Sequence, residues 1–292
     1  MSVSRALSRV PEWLVPEAPR ARALVVRTLV SAFATVYVLA RVRYFGDMSR
    51  HARSDFSPVG VCSVLETPLP AAVTWGIVLV TIALGMTFTI GRRVRVVGPM
   101  FFIGLLWTVS YASSWGKILH SENLLVLHVL VFALAGGLDL EDPRTAGWAL
   151  RAASVATALT YLVAGVTKLR SGGSAWLSGQ ALGDWLAWDA LRKIELGSFH
   201  SPLAERVAAS PALLQLFAIY TLAVELGAPL ALASRRAARV WVLLAWSFHG
   251  GILATMAIGF FYPLSAVAFA PLLDAEKLPL LRGRLRAWIV QR

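Results

Sequence analysis

The sequence predicts an all-α fold, a polytopic membrane helical bundle of about eight transmembrane helices with cytoplasmic N- and C-termini. Apolar residues make up 57% of the 292 residues, and charged residues make up only 15%. Soluble domains contain about 25% charged residues, so too few charges remain here to cover a soluble surface. The arginines also lie in short runs between apolar stretches, as at residues 92–95 and 235–239.

Eight apolar segments account for the predicted spans, since a membrane-crossing helix needs roughly 20 apolar residues. The segments are residues 24–40, 67–90, 97–114, 124–137, 147–166, 208–234, 240–258 and 261–273. The last two are divided because a single helix over both would be about 50 Å long, whereas the hydrocarbon core is about 30 Å thick. Gly259 and Pro263 favour a break between them.

The arginine bias predicts the orientation. With eight spans, the runs at 92–95 and 235–239 and both chain ends are cytoplasmic, which satisfies the positive-inside rule, whereas seven spans would place the basic tail outside. We therefore predict a cytoplasmic segment at residues 1–22 with no cleaved signal peptide, a transmembrane domain at 23–274, and a basic cytoplasmic tail at 275–292. This describes a multi-pass protein of the cell membrane.

The net charge of +12 follows from these juxtamembrane arginines. The predicted partner is therefore the lipid bilayer, and no nucleic acid is expected. Part of the tail, residues 278–290, fits a basic amphipathic helix on the inner membrane surface. The single cysteine, Cys62, excludes an intrachain disulfide and a thiolate metal cluster, and no metal site is predicted.

Lys168 lies at the end of the fifth predicted span. A lysine at a helix end is usually an anchor whose ammonium group reaches the membrane interface. The functional alternative is an amine in a desolvated pocket that acts as a base. Both interpretations stay open from the sequence.

His120 opens the fourth predicted span and is followed by Ser121, Glu122 and Asn123. Imidazole can exchange a proton near neutral pH. The same residues also fit an ordinary helix start, with Ser121 or Asn123 as the cap and Glu122 favoured by the helix dipole. In the predicted topology His120 and Lys168 lie at the outer ends of adjacent antiparallel spans, so we expect them to share one outward-opening cavity.

Other polar residues fall inside predicted spans, where an ionisable group costs at least about 2.5–3.5 kcal/mol at the centre. Glu225 and His249 lie near mid-membrane, and each is either a polar cross-link between helices or part of a site. We expect Glu225 to face other helices rather than lipid. His128 fits a satisfied core histidine. Trp176, Trp185 and Trp188 belong to an interfacial tryptophan belt or to the roof of a cavity under an amphipathic helix such as residues 177–191, and the belt is favoured for at least one of the three.

Three segments carry motifs that are taken here in the order in which they stand along the chain. The first contains Ser114-Trp115 followed by His120-Ser121. The second is Tyr161-Leu-Val-Ala-Gly165-Val-Thr-Lys168-Leu, followed by Trp176 and Gly179. The third is His249, then Met256-Ala-Ile-Gly259-Phe260, then Pro263. These resemble segments of the membrane part of vitamin K-dependent γ-glutamyl carboxylase, and more widely of the HTTM (horizontally transferred transmembrane) domain family.

The resemblance implies that Lys168 matches the lysine assigned as the base in vitamin K hydroquinone oxygenation, and that His120 matches a histidine assisting that chemistry. His249, Glu225, Tyr161, Trp115 and Trp176 become candidates for a substrate pocket. Leu119 stands where the family pattern has asparagine. The carboxylase also has a large extramembrane region with no counterpart here, so the resemblance covers the membrane pocket and protein-glutamate carboxylation is not expected.

Two functions stay open. One is a membrane enzyme of carboxylase or quinone-oxygenation type with an outward-facing Lys/His pocket, acting on a reduced quinone or a small secreted peptide. The other is a non-enzymatic accessory subunit for maturation or export of a secreted peptide, a role that one bacterial relative in the group suggests. A transporter is less favoured, because the paired broken spans of two related halves are missing from the sequence.

Overall fold

The computed structural model describes residues 11–12, 15–116, 120–138, 140 and 142–277. Over these residues the chain is helical and contains no β-strand, which confirms the predicted all-α class. The surface helix predicted at 278–290, most of the basic tail and much of the segment 1–22 lie outside the described residues.

We label the described α-helices in chain order. They are α1 (Arg20–Ala40), α2 (Val42–Gly46), α3 (Ala71–Ile90), α4 (Val94–Ser113), α5 (Asn123–Gly137), α6 (Pro143–Gly172), α7 (Ser174–Leu177), α8 (Gln180–Glu195), α9 (Pro202–Ala208), α10 (Pro211–Leu226), α11 (Arg235–Met256) and α12 (Phe261–Leu264). The longer 3-10 helices are Gly60–Val64 before α3, Ala228–Leu232 between α10 and α11, and Val267–Leu272 after α12.

Five of these helices, α1, α3, α4, α6 and α11, are long and apolar enough to cross a membrane. The pair α9 and α10 is bent by 103° and adds a sixth candidate if it forms one span. Helix α5 is apolar but has only 15 residues, or about 22 Å. Several long apolar helices therefore coincide with the predicted segments and are compatible with a multi-pass membrane protein.

The eighth predicted span differs from expectation. Residues 261–273 form the short helix α12 and the 3-10 helix Val267–Leu272 instead of one long helix. Ala266 separates the two with a positive φ of 62°, and Pro271 lacks the backbone donor that would continue an α-helix. The number of eight membrane crossings stays a prediction.

The chain divides into two compact units, Met1–Ala153 with Asp274–Arg292, and Ser154–Leu273, with the boundary inside α6. In the first unit α3 packs against α1 and α4, and α4 packs against α5. His128 is fully buried and its Nε2 lies 3.0 Å from the Ala153 carbonyl oxygen, which confirms it as a satisfied core histidine. Arg22 at the start of α1 forms ion pairs with Asp274 and Glu276, at 2.6 and 2.8 Å. These pairs hold the segment that follows residue 273 against the first unit.

The second unit contains the rest of α6 and the helices from α7 to α12. Serine caps begin three of its helices: the Ser201, Ser210 and Ser234 hydroxyls accept hydrogen bonds from backbone N–H groups of α9, α10 and α11. Such caps satisfy donors that a helix start leaves open. Because α9 turns sharply into α10, the helices α8 and α9 pack against both α10 and α11.

Candidate functional site

The site in the second unit begins with a close approach of α6 to α10. Gly165 is buried on α6, and a Cβ atom built there would lie 2.9 Å from the Leu226 side chain and 3.0 Å from the Glu225 Cβ. Only glycine leaves enough room for the two helices at this point. The close approach brings Lys168, one turn further along α6, within reach of Glu225.

Lys168 and Glu225 form an ion pair, with 2.5 Å between Nζ and Oε1. The Glu225 side chain is only 4% exposed and that of Lys168 is 25% exposed. This burial confirms that Glu225 faces protein rather than lipid. The attraction is strong in such a setting, but so is the cost of desolvating both charges. The pair therefore holds α6 against α10 only while both partners are present.

Trp176 covers the lysine from the adjoining helix α7. The Lys168 ammonium lies 5.4 Å from the centroid of the Trp176 ring, within cation–π range. Trp176 is 8% exposed and packs with Ala218 and Leu222 of α10. It therefore lies inside the protein, as the roof interpretation predicts, rather than in an outward-facing belt.

A second polar pair lies two turns along the same helix. The Tyr161 hydroxyl is 2.6 Å from His249 Nε2 on α11, and both residues are buried. The Tyr161 ring packs against Trp241 at a centroid distance of 5.0 Å and against Phe269 at 6.2 Å. This aromatic packing fixes the phenol in place, so the hydroxyl meets the imidazole in a dry environment.

The two pairs belong to one cluster. Tyr161, Gly165 and Lys168 are four and seven residues apart on α6, a spacing that places them on one helix face. We refer to Tyr161, Lys168, Glu225 and His249, with Trp176 above the lysine, as the polar cluster.

Two buried atoms of the polar cluster have no hydrogen-bond partner among the described residues. They are Glu225 Oε2 and His249 Nδ1. An unpaired polar atom in an apolar interior costs free energy, so a group that donates a hydrogen bond to Glu225 Oε2 would be favoured there.

The first unit holds a different buried carboxylate, Glu122. Its Oε1 accepts a hydrogen bond from the Tyr37 hydroxyl, and its Oε2 accepts one of 2.7 Å from Ser121. The Arg41 guanidinium donates to Tyr37 at 2.5 Å and lies 3.8 Å from Glu122. Ser121 and Glu122 therefore close a satisfied network at the start of α5. Glu122 itself occupies the cap position and its side chain accepts no capping hydrogen bond, so the expected cap by Ser121 or Asn123 is wrong.

His120 precedes this network in a 3-10 turn, and its side chain lies outside the part of the chain that the structure describes. The expected cavity shared by His120 and Lys168 therefore stays a prediction. Trp115 belongs to the first unit as well. Its ring packs against Phe56 at 5.0 Å and Tyr111 at 5.9 Å, in an aromatic cluster under the loop before α3.

The polar cluster thus joins Lys168, Glu225, Tyr161, His249 and Trp176 from the predicted site. The sequence pointed to each of these residues but not to their pairing. The sequence interpretation missed two features. One is Trp241, which packs against Tyr161 and donates a hydrogen bond of 2.9 Å to the Val224 carbonyl. The other is the Tyr37–Arg41 pair that binds Glu122. The four-residue spacing of Tyr37 and Arg41 at the end of an apolar segment was the available signal.

Across the described residues, no three histidine, cysteine, aspartate or glutamate side chains are grouped to hold a metal ion. The chemistry of the polar cluster is that of proton exchange between an amine, a carboxyl group, a phenol and an imidazole. No protein-family profile, curated protein or solved structure matches this chain.

Proposed function

We propose that this chain is a multi-pass membrane enzyme in which Lys168 takes a proton from a hydroxyl group of a reduced quinone-type lipid. The observation that supports it best is the pairing of the half-buried Lys168 with the buried Glu225, whose Oε2 has no hydrogen-bond partner among the described residues. The resemblance of the Ala-Gly-x-x-Lys-Leu segment to the carboxylase membrane region supports the quinone class of substrate.

Proton transfer within the pair supplies the base. In a site of low dielectric constant, a neutral amine beside a neutral carboxylic acid competes with the ion pair, because burial disfavours both charged forms. When the proton moves from Lys168 to Glu225, the amine is free to accept the hydroxyl proton of the substrate. The substrate anion then replaces the Glu225 carboxylate as the counter-ion of the lysine ammonium, so the net charge of the site does not change.

The rest of the polar cluster positions the reactants. Trp176 excludes water from the amine and offers an aromatic face, while Glu225 Oε2 accepts a hydrogen bond from a substrate hydroxyl. The Tyr161–His249 pair extends the proton path away from Lys168. By resemblance, His120 assists the same reaction. The proposal includes eight spans, cytoplasmic termini and a site that opens to the outer side of the cell membrane.

Oxygen uptake with a short-chain reduced menaquinone as the probe tests this function. We expect the purified protein to speed oxygen consumption and the Lys168→Arg variant to lose that activity, because arginine keeps the positive charge but does not act as a base. Arg170→Lys, two residues further on at an exposed position, is the matched control and should keep full activity. Equal activity of Lys168→Arg and the wild type would contradict the proposal.

One observation favours the accessory subunit instead: Lys168 and Glu225 neutralise each other, as in an ordinary polar cross-link between helices. In that case the pair only fastens α6 to α10, and the chain acts by binding a small secreted peptide or its processing enzyme. The absence of oxygen uptake with the probe, together with co-purification of a secreted peptide whose gene adjoins this one, would favour this function.

A further inference from the structure

Helix α8 carries an apolar face that nothing in the second unit covers. Trp185, Trp188, Leu191 and Ile194 recur every three residues and are 51 to 61% exposed. This spacing keeps them on one half of the helix surface. The two tryptophan rings also pack edge to face, with 5.6 Å between their centroids.

Asp189 and Lys193, in the middle of α8, point the other way, whereas Asp184 and Glu195 near its two ends are exposed on the same half as the apolar residues. Asp189 is 4% exposed and lies 2.7 Å from the Lys193 ammonium, which also donates to the Met256 carbonyl of α11. Arg192 contacts Asp189 at 3.3 Å and lies over the Trp188 ring at 5.2 Å. A helix surrounded by water does not usually expose four large apolar residues on one half of its surface.

The opposite face of α8 is fixed to the ends of other helices. Leu186 packs with Ala204 and Val207 of α9, and with Met256 at the end of α11. Helix α8 therefore lies across the end of the second unit where α10 begins and α11 finishes. Its 16 residues span about 24 Å, which is short of the roughly 30 Å hydrocarbon core.

We infer that α8 lies in the plane of the membrane interface, with Trp185, Trp188, Leu191 and Ile194 inserted into the boundary between headgroups and acyl chains. The partner is the lipid surface itself. Tryptophan is the residue type enriched at this depth, and a helix that exposes large apolar residues on one half of its surface buries them in lipid when it lies in the interface plane. The inference rests on the membrane placement of the second unit in the proposed function, but not on its chemistry.

This placement has a consequence for the polar cluster. Only Ser178 and Gly179 separate α7, which contains Trp176, from α8. Gly179 has a φ of +85°, and a Cβ atom there would lie 2.5 Å from the Gln215 backbone nitrogen. The connection is therefore fixed against α10, and a lipid-bound α8 holds the cover of Lys168 in place.

Spin labels in lipid vesicles test the depth of α8. Cys62→Ser gives a background without cysteine, into which Trp188→Cys and Leu191→Cys are introduced separately. Val163→Cys, on the exposed side of α6 and 61% exposed, is the lipid-facing control, and Arg53→Cys in the exposed loop before α3 is the aqueous control. Collision rates of the nitroxide with oxygen and with a water-soluble nickel chelate are compared in reconstituted phosphatidylcholine–phosphatidylglycerol vesicles.

We expect the oxygen-to-nickel ratio at positions 188 and 191 to fall between those of the two controls. A ratio equal to that at Arg53→Cys, or equal to that at Val163→Cys, would overturn the interfacial placement while leaving the membrane placement intact. If the nitroxides at positions 188 and 191 are protected from both oxygen and the nickel chelate, and their spectra show dipolar broadening, the interfacial placement is overturned in favour of a contact between two copies of the chain. Nickel access at Val163→Cys would instead contradict the membrane placement of the second unit itself.

Discussion

At the scale of single residues, several buried polar groups in the described part of the chain occur in pairs. Glu225 with Lys168, His249 with Tyr161, and Glu122 with Tyr37 each join residues far apart in the sequence. The cost of an ionisable residue in an apolar segment identifies Glu225 and His249 from the sequence, because few such residues persist without a partner, whereas Tyr161 entered through the family resemblance and Tyr37 was missed. The choice of partner depends on which helices pack together, and a single sequence does not contain that information.

The thiol of Cys62 provides a test at this scale. Burial raises the pKa of this thiol to about 11, and the residue is fully enclosed in the 3-10 helix Gly60–Val64. Because only the thiolate reacts rapidly, we expect alkylation of the folded protein by a maleimide to be very slow at pH 7 and to rise as pH approaches 11.

The exposed variant Ser63→Cys in a Cys62→Ser background is the matched control and should react readily at pH 7. Equal rates for the two positions at neutral pH would show that Cys62 is accessible and that the loop packs differently.

Gly165 and Gly179 show how single residues act on whole elements. Both stand where another helix approaches too closely for a side chain, and both belong to the Ala-Gly-x-x-Lys-Leu and Trp-x-x-Gly pattern noted in the sequence. The sequence could mark these glycines as notable but could not say which backbone they meet. The eighth segment is the opposite case, since its composition fits a span while the left-handed Ala266 and Pro271 prevent one continuous α-helix.

Gly179→Ala tests the contact between the α7–α8 connection and α10. Any non-glycine residue at this φ costs about 1–2 kcal/mol, and at Gly179 the new Cβ also meets the α10 backbone. Gly197→Ala is the matched control, because its φ is +62° but no atom lies within 4 Å of the added Cβ. We expect the apparent Tm in detergent to fall clearly further for Gly179→Ala than for Gly197→Ala, and equal losses would argue against the close contact.

At the scale of the whole molecule, composition and the placement of the arginines were sufficient to predict the all-α class and the positions of most of the long apolar helices. They do not decide how many segments cross the membrane, because α5 and the region after α11 are short and irregular. The division of the chain within α6 was also not predictable, since the helix is continuous and nothing in its composition changes at residue 153.

Cysteine accessibility in intact cells tests the predicted topology. In the Cys62→Ser background, Ser171→Cys near the end of α6 should react with a membrane-impermeant maleimide from outside. Ala237→Cys at the start of α11 should react only after the membrane is opened. This outcome follows from the positive-inside rule applied to residues 235–239. Labelling of both positions from the same side would contradict the eight-span arrangement.

The measurement that tests the proposed role of the polar cluster most directly compares Glu225→Leu with the double variant Lys168→Met/Glu225→Leu. The single change leaves a buried lysine without its counter-ion and should cost about 3–5 kcal/mol, whereas apolar replacement of both partners restores stability. Our account predicts that the double variant folds as well as the wild type but shows no oxygen uptake with reduced menaquinone. A double variant that is both stable and fully active would contradict it, because the pair would then be only a cross-link between α6 and α10.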